Sequence, residues 1–134
     1  MTKEPKSAPV EIDDIATVEK TYEVPHPSTD ENVGIRVTLM SVNDKRMKGL
    51  KRQIQNANLQ RQAKRKTIKA VEVEENEIAM ASGAIVSWDW YDAVYKGEKP
   101  DCTPKTKAEI LNAKSWIKDF VVEKLELESD FFTK

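Results

Sequence analysis

A chain of 134 residues, 34% charged and 39% hydrophobic, has material for one domain with a modest core and a large polar surface. Its 22 Lys and Arg against 23 Asp and Glu give a net charge of -1, which excludes a uniformly basic nucleic-acid binder but not a local basic patch. One Cys and one His exclude an internal disulfide and a zinc site of the usual Cys/His kind.

The most apolar stretch, Ile78 to Trp88, falls far short of the roughly 20 residues that span a bilayer. The opening Met1-Thr2-Lys3-Glu4-Pro5 leads into acidic sequence rather than the apolar core of a secretory signal. These features point to a soluble, cytosolic protein.

Charge is blocked along the chain. Residues 1–32 hold eight acids and three bases, with Pro5, Pro9, Pro25 and Pro27 among few apolar residues. A segment of that kind buries little and orders weakly. Residues 1–20 are therefore expected to be a flexible or loosely docked acidic tail. In Gly34-Ile35-Arg36-Val37-Thr38-Leu39-Met40, apolar Ile35, Val37 and Leu39 alternate with Arg36 and Thr38, the period of a half-buried strand. Thr21-Tyr22-Glu23-Val24, ended by Pro25, offers a partner across a turn-rich loop, so a small hairpin is expected.

Ser41-Val42-Asn43-Asp44 supplies N-cap candidates for a helix over about Asp44–Lys66, with Met47, Leu50, Ile54 and Ala57 on one stripe. Residues 45–69 contain ten Lys or Arg and no acid. A second helix is expected from Ala70 to Trp88. Glu72, Glu74, Glu75 and Glu77 would match the positive end of its dipole, and Ile78, Ala81, Ile85 and Trp88 would form its buried stripe. After the turn region Lys96–Asp101, Thr103 as N-cap and Pro104 at the first helical position open a third helix carrying Ile110 and Leu111. A fourth, from about Lys114 to Glu128, carries Trp116, Ile117, Phe120, Val121 and Leu125. The expected fold is helix-dominated α+β: a small N-terminal β-hairpin or strand, then a compact four-helix arrangement, with residues 21–134 as one domain.

Candidate chemistry is sparse. Cys102 and His26 are the only thiol and imidazole, and a nucleophilic pair needs them within hydrogen-bond reach. The acids of 72–77 lack the Gly turn and alternating ligands of a calcium loop. Four glycines leave no phosphate-binding loop. No catalytic, cofactor or metal residues are therefore assigned. The basic block 45–69 could be a solvated or internally paired face, a protein-contact face or a phosphate-contacting one. It holds no aromatic residue for base stacking, which disfavours single-strand recognition. Trp88, Trp90 and Trp116 read as core residues, with Trp90 the best placed to serve instead as an exposed partner anchor.

The order of these parts resembles the tail assembly chaperones of long-tailed siphophages over about residues 33–132. The resemblance rests on the strand Gly34–Leu39, the Arg/Lys/Gln-rich helix, the acidic-to-apolar segment ending in Ser87-Trp88, the turn with Gly97 and Pro100, Thr103-Pro104, Trp116-Ile117 and the closing Phe131 or Phe132. Ser87 stands where family members usually carry Gly, and Cys102 where they usually carry Phe.

The resemblance implies a non-enzymatic protein that binds the tape-measure protein, keeps it soluble and helps recruit tail-tube subunits in the host cytoplasm. It would be missing from the mature virion. Lys51, Arg52, Arg61, Lys64, Arg65 and Trp90 are the expected partner-binding residues, and self-association is open. The alternatives are a structural tail or connector subunit kept in the virion, and a small nucleic-acid binder using residues 45–69.

Overall fold

A computed structural model describes residues 9–63 and 70–133, the side chains of 61–63, 70, 71, 128 and 129 excepted. The chain is α+β and helix-rich. Strand β1 (Lys20–Pro25) pairs antiparallel with β2 (Asn32–Leu39), with Tyr22 opposite Val37 and Glu23 opposite Arg36. The expected alternation sets the faces. Ile35, Val37 and Leu39 are buried, while Arg36 is exposed.

The helices follow: α1 (Lys48–Ala63), α2 (Ala70–Ala84), α3 (Pro104–Ala113) and α4 (Ser115–Leu125). Between α2 and α3 lies β3 (Ile85–Asp89), antiparallel to β2, which makes β2 the centre of a three-stranded sheet.

This third strand corrects the expected helix over Ala70–Trp88. The helix stops at Ala84, and Ile85 and Trp88 reach the core from the sheet, opposite Leu39 and Val37. Two things favour the switch. Ile85 and Val86 are β-branched. The free edge of β2 also offers hydrogen bonds that a continued helix would leave unmade. The junction is tied by Met40 N–H donating to the Ala84 carbonyl at 2.9 Å. Lys107 of α3 is buried there, its Nζ donating to the Ile85 carbonyl at 2.9 Å.

One core lies between the inner sheet face and the helices. Val24, Val37, Leu39, Ala81, Ala84, Ile110, Leu111, Val121 and Phe131 are all fully buried in it. Thr103 caps α3 as expected, its Oγ1 accepting from Thr106 N–H at 3.2 Å. The expected tail region enters the fold at its end. Val18 N–H donates to the Phe131 carbonyl at 2.7 Å, and Thr133 N–H to the Ala16 carbonyl at 2.9 Å.

Asp44 joins three parts of the chain. Its carboxylate accepts from Arg46 N–H at 2.9 Å and so caps the 3-10 turn Lys45–Met47 that opens α1. It also accepts from Arg46 Nε at 2.9 Å and from Thr17 Oγ1 at 3.0 Å, while Arg46 Nη1 reaches Glu19 at 3.1 Å. The Arg46 side chain and amide hold the Asp44 carboxyl well below the usual carboxylate range, against the opposing effect of burial.

A second fixed point is Gly34, at φ +97, where an added Cβ would lie 2.6 Å from Asp92 Cβ and 2.7 Å from Asp92 backbone carbon. Asp92 N–H donates to the Gly34 carbonyl at 3.1 Å, so the two backbones cannot part freely. Only glycine takes that φ without strain.

Two outcomes are expected in urea denaturation. Gly34→Ala should cost about 1–3 kcal/mol or more, from strain and the clash with Asp92. Asp44→Ala should cost about 1–2 kcal/mol at neutral pH through loss of the cap. Because the folded-state pKa of Asp44 is depressed, its contribution is complete above the unfolded carboxylate pKa of about 3.9 and fades as pH falls below it. The gap between wild type and Asp44→Ala should therefore narrow in acid. A gap independent of pH would remove the ionised carboxylate from the account.

Candidate functional site

α1 carries Lys48, Lys51, Arg52 and Arg61 of the basic block. Its start is anchored because Met47 is only 1% exposed. Leu50 lies over Gly83 of α2, so closely that an added Cβ there would come within 2.5 Å of Leu50 Cδ2. Farther along, Ile54 and Ala57 are half-buried, while Leu59 on α1 is 60% exposed and Val73 on α2 50% exposed.

Of the expected contact residues, Arg52 is exposed and makes no ion pair among the described residues. Lys51 is half-buried, its Nζ donating to Asn43 Oδ1 at 3.4 Å. The side chain of Arg61, and Lys64 and Arg65 altogether, lie outside the described residues.

Trp90 corrects the expectation of an exposed anchor, because it is 6% exposed. β3 ends at Asp89, and the indole turns inward edge-on to Trp88, with ring centroids 5.7 Å apart. Its Nε1 is buried without a hydrogen-bond partner. By contrast, Trp88 Nε1 donates to the Pro100 carbonyl at 3.1 Å. Trp90 and Trp116 line a cleft of about 330 Å³ with Ile35, Tyr95 and Val94.

The larger concavity was not anticipated. It is an open groove of about 690 Å³ between α2 and α4, lined by Val42, Met80, Ala81, Val122, Leu125 and Leu127, with Glu77 and Glu126 at its edges. Lys118 Nζ reaches Glu77 at 3.4 Å. Burial pulls the Lys118 ammonium down, but Glu77 and Asp119 together hold it above its ordinary range. The sequence signal was present in the Met80–Val122–Leu127 set, but it becomes a groove only once α2 and α4 are placed side by side.

On the outer sheet face, Glu23 accepts from Arg36 Nε at 2.5 Å and from Tyr91 Oη at 2.6 Å, with the Arg36 guanidinium 4.3 Å over the Tyr91 ring. The hydrogen bond from Tyr91 does most to lower the Glu23 pKa, burial opposes it, and the bond and charge of Arg36 add to the lowering; the Tyr91–Glu23 bond also raises the pKa of Tyr91. This cluster braces β1, β2 and the segment after β3.

The possible thiol–imidazole pair is not drawn together by any contact. His26 Nδ1 accepts from the Ser28 and Thr29 amides at 3.0 and 3.3 Å. Burial raises the Cys102 pKa despite Lys107, the opposite of what an activated thiolate needs. Among the described residues no three His, Cys, Asp or Glu side chains form a metal-binding group, and no helix is long and apolar enough to cross a membrane.

No protein-family model, curated protein or solved structure is significantly similar to this chain.

The raised Cys102 pKa has a measurable consequence. At about pH 8 the thiol should react with Ellman's reagent several-fold more slowly in the folded chain than in denaturant. Folded-state reaction as fast as the unfolded one would reopen Cys102 as a nucleophile.

Proposed function

We propose that this chain is a non-enzymatic assembly chaperone of phage tails. It would engage the tape-measure protein, and then tail-tube subunits, through the basic face of α1 during assembly in the host cytoplasm, and leave before the virion is complete. What supports the reading is the order of sequence elements that resembles that family. The observation that carries it is the form of α1: a helix held at its first turn, with exposed Arg52 and exposed Leu59 beyond it, in a stretch of ten bases and no acid.

A cationic helix with an open apolar position suits reversible contact with an acidic, helical partner. Opposite charge speeds encounter, and an exposed pair of this kind holds only modestly. Trp90 lies in the core, which supports α1 rather than the aromatic cluster as the proposed contact face.

Reversing charge at Arg52, Arg61, Lys64 and Arg65 to Glu should reduce co-purification of the tape-measure protein about tenfold or more at low salt, with thermal unfolding little changed. Undiminished binding would remove the basic face. Quantitative mass spectrometry of infected lysate and purified particles tests the role itself. Abundance in lysate with loss from particles fits the chaperone. A fixed copy number in particles would make the chain a structural tail or connector subunit. Tight, steeply salt-dependent DNA binding lost in the same variant would instead favour a nucleic-acid role.

A further inference from the structure

We propose that the groove between α2 and α4 is the seat for helix α1 of a second copy of this chain. The groove floor is apolar, formed by Val42, Met80, Ala81, Val122 and Leu125, and Leu127 at its end is 44% exposed. An apolar trough of about 690 Å³ takes side chains from one face of a helix.

Charge selects which helix. Glu77 and Glu126 edge the groove, and Glu123 is exposed on the same helix as Val122. Lys118 offsets Glu77 in part, whereas Glu126 makes no ion pair among the described residues. The complementary element is a basic helix with an uncovered apolar residue.

α1 is such a helix. It holds Lys48, Lys51, Arg52 and Arg61 and no acid, and its Leu59 is 60% exposed. Within its own chain α1 is held near its first turn, by Met47 and Leu50; Ile54 and Ala57 are half-buried, and Leu59 is left available to a neighbour. Exchange of helices between two copies, each in the other's groove, repeats one contact twice and closes a two-fold dimer.

The variants that test this sit on exposed residues, so the fold is not at stake. Sedimentation velocity on the full chain over a range of concentrations should show a reversible monomer–dimer equilibrium, weakened by salt. Leu127→Arg, which places a cation against the incoming basic helix, should raise the dimer dissociation constant about tenfold or more, and so should Leu59→Glu.

The two variants mixed should associate better than either alone, because one intact groove then meets one intact helix. A wild-type chain that stays monomeric at all concentrations overturns the proposal. So does a dimer indifferent to Leu127→Arg. A dimer that is lost with Leu127→Arg but kept with Leu59→Glu would mean groove facing groove, and would overturn α1 as the occupant. Leu127→Arg leaves the basic face intact, so its effect is separable from tape-measure binding.

Discussion

The ladder between β2 and β3 is the contact on which the rest of this structure depends. The chain leaves β2 at Leu39, runs through two helices, and comes back at Ile85 to pair with the strand it left. That return closes a loop of some length, with an entropic cost that grows slowly with loop size. The ladder offsets this cost by satisfying the open edge of β2 and burying Ile85 against Leu39. It also sets the direction in which α1 and α2 leave the sheet. Met40, bonded to Ala84, and Lys107, bonded to Ile85, brace the point where helix becomes strand.

Anchoring at that junction has a consequence farther along α1 and α2. The buried part of α2, Ala81 to Ala84, is held by small residues that let Leu50 and the third and fourth helices approach closely. Toward residue 70 the burial declines, and Leu59 and Val73 are left facing solvent. A helix pair fixed at one end presents its other end as a surface. One member of that pair, α1, holds Lys48, Lys51, Arg52 and Arg61 and no acid. Both the partner-binding proposal and the self-association proposal grow from this single asymmetry.

Much of the secondary structure could be read along the chain, because local patterns carried it. The alternation Ile35-Arg36-Val37-Thr38-Leu39 marked a strand with a buried and a polar face. Thr103-Pro104 marked a helix start, and Asp44 was among the cap candidates for α1. The reading failed at Ile85–Asp89. There the small residues Ala79, Ala81, Ser82, Gly83 and Ala84 extend a helical stripe straight into β-branched Ile85 and Val86. Ile85 and Trp88 are three apart, a spacing that fits a helix, and no local signal says that β2 lacks a second neighbour. For Trp90 the reading as a core residue holds and the one as an exposed anchor does not. Whether an indole six residues past the small-residue run points in or out depends on where the strand ends.

Residue order by itself determined the segregation of charge, the alternating face of β2 and the capped starts of α1 and α3. Each of these is a property of neighbours within one turn or one pleat. Tertiary structure decided where α2 gives way to β3, the burial of Trp90, the bonding of buried Lys107 to a strand carbonyl, and the groove between α2 and α4. Those features join residues far apart in the chain. A hydrogen-bond edge or an apolar trough exists only when the elements that form it are already side by side.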